Sequence, residues 1–312
     1  MQNFMIALNA VLSMFLMIGV GVLAQKLKII DKRSVRQANS LCFRAFMSVM
    51  MFYNVYTSDL SQAVNLPLIG YCVAGTLLLF FAGLLIVPRV EKRDPARGVM
   101  MITFFRSNVV LLGVPMTAAV FSGQGIGEVT ILIAVVVPVT NTLSVVALEL
   151  FRGGKPELKH TLISISKNPI VRGVAVGLVT VLLGIHLPTP IESAVASISD
   201  ATTAMALVLL GAALDFDKFG KDKRSVWLCI LVRLVVAPAI FITAAAALGF
   251  RGVALCGIMA VFSGPCAVSS YTMACEMDGD GDMAGELLLL TTGISCFTMF
   301  GWIFLLKTLA LI

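Results

Sequence analysis

The chain has 312 residues, of which 59% are hydrophobic and only 13% are charged. An ordinary soluble domain carries about 25% charged residues. With a mean hydropathy of +0.99, this composition excludes a soluble globular protein and a disordered chain. The apolar residues form continuous blocks rather than the alternating pattern of an outer-membrane barrel, so the sequence predicts an all-α polytopic membrane protein.

Ten apolar blocks, separated by short polar connectors, are long enough to cross a bilayer as helices, which takes about 20 residues each. The first basic residue is Lys26, so the first block lacks the basic start of a signal peptide and is predicted to remain as a membrane span. Spans 1 to 10 cover residues 3–24, 36–57, 66–88, 98–122, 128–150, 168–186, 190–213, 225–248, 251–276 and 285–309.

Basic residues are concentrated in every second connector. The connectors after spans 1, 3, 5 and 7 carry 18 lysines and arginines, whereas the opposite side has only Arg251 and Lys307. By the positive-inside rule, these connectors are cytoplasmic, and both termini of this multi-pass plasma- or inner-membrane protein lie outside. The net charge of +6 is then a topology signal and does not indicate a nucleic-acid partner. The acidic connector 276–282 is predicted to be a turn that caps span 10 on the cytoplasmic side.

The ten spans divide into two groups of five. Because five is odd, the second group enters the membrane from the opposite face, which gives an inverted repeat. The fourth span of each group has glycine and proline near its centre: Gly113 and Pro115 in span 4, Gly264 and Pro265 in span 9. Both spans are therefore predicted to break near the midplane. Broken backbone at that depth must line a protein-enclosed cavity, where the N-termini of half-helices favour an anion.

The order and spacing of several motifs resemble the auxin efflux carrier family of permeases, which includes prokaryotic-type relatives of the plant PIN-formed carriers. These motifs are Gly21-Val-Leu-Ala-Gln-Lys-Leu-Lys-Ile-Ile, Asn108-x6-Pro115, Arg233-x4-Pro238 and Gly264-Pro-x8-Ala-Cys-Glu276. The chain departs from the family at Ser48 and Ala204, where members often carry proline.

This resemblance implies a fold like that of sodium/proton antiporters and bile-acid symporters, with ten transmembrane helices in two inverted five-helix repeats and helices 4 and 9 crossed. It implies scaffold helices 1–2 and 6–7, in residues 1–65 and 151–222. The transport-domain helices 3–5 and 8–10 would lie in residues 66–150 and 223–312. It also implies a homodimer and an organic anion bound at the crossover.

The predicted anion site consists of polar and helix-breaking residues in spans 4, 5 and 9. Asn108 is its central residue, because an amide offers both donors and an acceptor. Interhelical hydrogen bonding is the alternative role for the small polar residues. The predicted substrate-binding set is Arg106, Ser107, Asn108, Gly113, Pro115, Asn141, Ser263, Gly264, Pro265 and Ser269.

A charged side chain inside a membrane span is expected to have a functional or structural role, because burying a charge in the bilayer is costly. Arg106 either holds a substrate anion or pairs with an acid, and the resemblance favours a structural role for Arg233 at the crossover. Asp200, in span 7, either carries a coupling proton or neutralises an arginine. We expect Asp200 to influence coupling or stability more than substrate affinity, because it lies on the scaffold side.

No phosphate-loop, dinucleotide, zinc or hydrolase motif occurs, and the seven cysteines have no metal-ligand spacing. The sequence therefore predicts a non-enzyme without cofactor or metal. The interpretation is a secondary transporter of a small organic anion, either a dicarboxylate such as malate or malonate or an auxin-like aromatic carboxylate. Transport is expected by alternating access, of the elevator type. The alternatives are a sodium-coupled bile-acid-type symporter and a non-transporting membrane sensor; direction and coupling stay open.

Overall fold

The structure is a computed structural model that describes residues 2–57, 65–109, 117, 120–121, 126–152, 163, 166–214, 220 and 223–312. In these ranges the chain is helical, and the one β-type contact is a bridge between Ser107 and Cys266. The helices are α1 (Gln2–Lys26), α2 (Lys32–Leu41), α3 (Met47–Tyr56), α4 (Leu66–Val90), α5 (Asp94–Phe105), α6 (Ile126–Leu150), α7 (Pro169–Leu182), α8 (Thr189–Ala213), α9 (Lys223–Leu231), α10 (Ala237–Ala247), α11 (Gly252–Ser263), α12 (Val268–Glu276) and α13 (Gly281–Thr308).

Two pairs of helices are continuous through a π-helical turn, which inserts one extra residue into the helix. Cys42–Phe46 joins α2 to α3, and Val232–Val236 joins α9 to α10. Each turn contains an arginine, Arg44 in the first and Arg233 in the second. Arg44 is exposed, as expected for a side chain that snorkels towards the surface, whereas Arg233 is fully buried.

Helices occupy all ten predicted blocks, at least in part, which confirms an all-helical membrane protein. Within the described residues, five helices are long and apolar enough to cross a membrane, and three apolar helices are shorter. The arrangement of ten crossings in two inverted repeats stays a prediction. The long helices are Leu66–Val90, Glu128–Leu150, Thr189–Ala213, Arg224–Ala247 and Gly281–Thr308; the shorter ones are Phe15–Lys26, Pro169–Leu182 and Gly252–Ser263.

Several helices begin where a side-chain oxygen accepts a hydrogen bond from the free backbone N–H groups of the first turn. Asn65 caps α4, and Asn168 caps α7, each followed by proline in the first turn. Asp280 accepts from the backbone N–H of Met283 at 3.0 Å and so caps α13. The predicted capping role of the acidic connector is therefore confirmed.

Glycines bring two pairs of helices into backbone contact. A Cβ on Gly21 of α1 would lie 2.0 Å from the carbonyl oxygen of Val208 in α8, and one on Gly211 would lie 2.0 Å from that of Ile18. A Cβ on Gly173 of α7 would lie 2.3 Å from the carbonyl oxygen of Ser48 in α3. Only a residue without a side chain permits this approach. As α3 also packs on α8, the helices α1, α3, α7 and α8 form one closely packed group.

Ion pairs join three connectors at one end of the molecule. Arg93 lies 3.4 Å from Asp280, and Arg152 lies 2.8 Å from Asp278. The acidic connector after α12 therefore lies beside the basic connectors after α4 and α6, as the order of the predicted spans requires. Its carboxylates offset part of the positive charge at that end.

Glu91 connects the end of α4 to the start of α9. Its carboxylate lies 3.2 Å from Nε of Arg93 and accepts a hydrogen bond of 3.0 Å from the hydroxyl of Ser225. Burial acts to raise the pKa of Glu91, but these hydrogen bonds and the charge of Arg93 outweigh it and lower the pKa to about 2. Glu91 is therefore ionised over the physiological pH range.

Candidate functional site

Two non-helical segments pair with each other. The first, residues 106–108, follows α5, and the second, residues 264–267, separates α11 from α12. They run antiparallel: the backbone N–H of Asn108 donates to the carbonyl oxygen of Pro265 at 2.8 Å, and Ser107 bridges to Cys266. The break in span 9 lies at Gly264 and Pro265, so that prediction is confirmed. We call residues 106–108 and 264–267 the crossing segments.

Span 4 leaves helical geometry before the residues at which its break was predicted. The sequence pointed to Gly113 and Pro115, but α5 already ends at Phe105, and Arg106 has extended backbone angles (φ −92, ψ 114). The reason is tertiary: pairing with the other crossing segment satisfies backbone groups that a helix would otherwise have bonded. Gly113 and Pro115 themselves lie outside the described residues.

Gly264 allows the two crossing segments to touch. A Cβ at this position would lie 2.3 Å from Oγ of Ser107 and 3.0 Å from the carbonyl oxygen of Ala260. The Ser107 hydroxyl fills this space and donates to the Ala260 carbonyl at 3.1 Å. The glycine before Pro265 therefore serves the close approach of the segments as well as the end of the helix.

Arg233 stabilises the crossing segments by hydrogen bonds to backbone carbonyl groups. Its guanidinium, fully buried, donates from Nε to the carbonyl of Gly264 at 2.8 Å and from Nη2 to that of Val261 at 2.7 Å. A longer contact of 3.4 Å reaches the carbonyl of Phe104. These carbonyls lie where α11 and α5 end and have lost their helical partners. The contacts support the structural role that the family resemblance implies.

A cavity of about 300 Å³ lies beside the crossing segments. Of the predicted residues it gathers Arg106, Ser107, Asn108, Asn141 and Ser269, and also Asp200. Four predicted residues do not line the cavity. Gly264 and Pro265 belong to a crossing segment, Arg233 donates to the Gly264 carbonyl, and the Ser263 hydroxyl donates to the Met259 carbonyl within α11. The full lining is Met47, Met50, Met51, Asn54, Arg106, Ser107, Asn108, Val137, Thr140, Asn141, Ser199, Asp200, Thr202, Thr203, Ala206, Ala267, Val268 and Ser269.

Arg106 is a buried cation whose partners are all neutral. Its side chain, in a residue only 3% exposed, donates to Oδ1 of Asn141 and Oγ of Ser269, and it contacts the sulfur of Met273. Among the described residues, no carboxylate lies within 4.0 Å of it. A buried charge without a counter-charge is unfavourable. The position therefore favours an anion that enters the cavity.

Asn108 supplies an unused hydrogen-bond donor. The residue is 7% exposed, and its side-chain Nδ2 has no hydrogen-bond partner among the described residues. Asn108 lines the same cavity as Arg106, and its amide nitrogen is enclosed there without a protein partner among the described residues. Ser269, at the N-terminus of α12, adds the positive end of a helix dipole to the same wall.

Asp200 faces the cavity from α8. The residue is exposed, and in the described part of the chain its carboxylate is within 4.0 Å of no lysine or arginine. The ion pair with an intramembrane arginine, which the sequence offered as one role for Asp200, is therefore not formed in this conformation.

Helix α3 contributes a wall of the cavity that was not predicted from the sequence. Met47, Met50, Met51 and Asn54 all line the cavity. Their spacing of three, four and seven residues places them on one face of a helix, and this was a usable signal. Methionine gives no chemical signal of its own, because in a membrane helix it is indistinguishable from ordinary core.

Comparison with known proteins shows the family of the chain. A family model described as "Membrane transport protein" matches residues 6–303. An uncharacterized transporter from Methanothermobacter thermautotrophicus is 23% identical over 308 residues, which cover 96% of this chain and 98% of the relative. The family match covers nearly the whole chain and indicates the same family as the motifs at the crossing segments. The chain therefore belongs to this membrane transport protein family, the auxin efflux carrier family, and is a membrane transporter.

Proposed function

We propose that the protein is a secondary transporter of a small organic anion, which it binds by a carboxylate at the crossing segments. The observation that carries this proposal is the pairing, in one cavity, of an arginine without a counter-charge and an amide donor without a partner. Arg106 supplies the charge, and Asn108 adds a donor without the desolvation cost of a second cation.

The size of the cavity supports a small substrate. About 300 Å³ is at the lower end of the range for ligand pockets. Dicarboxylates such as malate or malonate and auxin-like aromatic carboxylates both fit within this limit. The wall from α3 is mainly apolar, whereas the wall from the crossing segments is polar, so one end of the substrate is specified by hydrogen bonds and the other by packing.

The surroundings of the cavity support alternating access of the elevator type. Its walls come from two groups of helices: α3 and α8 on one side, and α6, α12 and the crossing segments on the other. We propose that residues 1–65 and 151–222 form the scaffold, while residues 66–150 and 223–312 carry the substrate across. The close glycine contacts of the first group suit a rigid scaffold, and a homodimer would anchor it. The ten helices would then form two inverted repeats crossed at helices 4 and 9.

Replacing Asn108 by alanine is expected to lower the affinity for a transported carboxylate about 10- to 150-fold. The change removes one hydrogen bond to a charged group, worth roughly 1.5–3 kcal/mol. Calorimetry on purified protein with malate, malonate and indole-3-acetate measures the effect. Ser107→Ala is the comparison variant, since that hydroxyl is already bonded to Ala260 and should contribute less. Unchanged affinity in a folded Asn108→Ala variant would place the carboxylate elsewhere.

The proposed topology places both termini outside a plasma or inner membrane. Cys275 is the one exposed cysteine, so Cys275→Ser gives a quiet background for labelling. In intact cells, a membrane-impermeant maleimide is expected to label His186→Cys, at the outer end of span 6. It should label Lys92→Cys, in the connector after span 3, only after permeabilisation. The reverse pattern would invert the proposed orientation.

A further inference from the structure

Two charged residues line the cavity, and they carry opposite charges. Arg106 belongs to the crossing segment after α5, and Asp200 belongs to α8. They are not paired with each other, because no contact of 4.0 Å or less joins them. Neither has another partner of opposite charge in the described part of the chain. The cavity therefore presents one cationic and one anionic group from two different walls.

A ligand that satisfies only Arg106 leaves the charge of Asp200 uncompensated in the same small space. Binding of a dicarboxylate is less favourable still, because its second carboxylate shares that space with Asp200. Like charges that face one cavity repel each other, although the exposure of Asp200 to solvent screens part of this repulsion. A ligand with a carboxylate at one end and a cationic nitrogen at the other would complement both walls.

We propose that the substrate is an amino carboxylate and that Asp200 is a specificity-determining residue which receives its ammonium group. This inference rests on the proposed function, because Arg106 and Asn108 still hold the carboxylate. It keeps the carboxylate-binding part of that function and changes the substrate from an anion to a molecule with one carboxylate and one cationic nitrogen, whose net charge is zero. An α-amino acid is the simplest such molecule.

The third part of the cavity wall fits the remaining part of such a molecule. Met47, Met50 and Met51 provide flexible, polarisable apolar contacts that adapt to different side chains. The cavity therefore has a wall for each part of the molecule: Arg106 with Asn108 for the carboxylate, Asp200 for the ammonium, and the methionines for an apolar side chain.

Matched pairs of acids test this proposal in purified protein. Each pair differs only in the amino group: 2-aminohexanoate with hexanoate, and phenylalanine with 3-phenylpropanoate. In wild type, the amino acid is expected to bind at least tenfold more tightly than its deaminated partner. Asp200→Asn should lower the affinity for the amino acid at least tenfold and leave that for the deaminated acid unchanged or higher. Glu192→Gln, which removes an acid on the same helix outside the cavity, should change neither.

The outcomes separate this inference from the proposed function. If the deaminated acids or malate bind as well as the amino acids to wild type, or if Asp200→Asn weakens both members of each pair equally, the inference is wrong while carboxylate transport stands. A change in pH dependence without a change in discrimination would assign Asp200 to coupling and also overturn the inference. If wild type binds none of the carboxylates, the proposed function itself fails.

Discussion

Arg106→Gln is expected to lower carboxylate affinity about 30-fold or more without lowering the stability of the ligand-free protein. Removing one member of a buried charge pair costs at least about 2 kcal/mol of binding free energy. In the ligand-free state, however, Arg106 has only neutral partners. Removing a buried charge that lacks a counter-charge relieves a desolvation cost, so thermal unfolding in detergent should occur at the same or a higher temperature.

Arg233→Gln is the matched control, because Arg233 is equally buried but bonded differently. Its guanidinium donates to backbone carbonyls of Gly264 and Val261, which would be left without partners. This variant should therefore lose stability, since each unsatisfied buried group costs about 1–3 kcal/mol. Calorimetric binding and thermal unfolding of both variants test the contrast. If Arg106→Gln lost stability as Arg233→Gln does, Arg106 would be a structural residue and the anion site would lose its main support.

Gly264→Ala is expected to reduce transport at least tenfold while the protein still inserts into the membrane. The new Cβ would lie 2.3 Å from Oγ of Ser107, a distance that real Cβ atoms essentially never show, so Ser107 must shift. The Ala260 carbonyl at 3.0 Å limits this movement, and we expect the crossing segments to move apart. Arg106 and Asn108 lie on the displaced segment and would lose their positions at the cavity. Uptake of a labelled carboxylate into proteoliposomes measures the loss.

The double variant Gly264→Ala/Ser107→Ala provides the decisive comparison. It removes the Oγ that clashes, while the Cβ of Ser107 lies 3.7 Å from the new group, an ordinary contact. Transport should therefore recover in part, although the Ala260 carbonyl at 3.0 Å remains tight. Gly301→Ala is the neutral control, because no atom lies within 4 Å of its added Cβ. A double variant as inactive as Gly264→Ala alone would show that the Ser107 contact is not the cause.

The positions of the helices along the chain were largely predictable, because long apolar blocks indicate the helices and charged connectors separate them. The break in span 9 was also predictable, since Gly264 and Pro265 are local signals that disrupt a helix whatever surrounds them. The break at Arg106 was not. No residue at positions 106–108 disfavours a helix strongly, and the chain leaves helical geometry there because a distant segment supplies its hydrogen bonds.

The polar residues of the candidate site were predictable, because a polar side chain in a membrane span is costly and indicates a role. That cost identified Arg106, Asn108 and Asn141, which the structure brings to one cavity. It also identified Asp200, but the sequence placed this residue in the scaffold and therefore away from the substrate. Its position on the cavity wall depends on how α8 packs against the crossing segments, and no local pattern contains that information.

The hydrogen bond that joins the crossing segments runs from the main-chain N–H of Asn108 to the main-chain carbonyl of Pro265. Neither atom belongs to a side chain, so natural substitution at most positions of the two segments leaves the bond intact; only a proline at position 108 removes its donor. The side chains that line the cavity, and with them the substrate, can therefore change during evolution while this backbone hydrogen bond is retained. Relatives with low sequence identity can therefore share this backbone contact and transport different solutes.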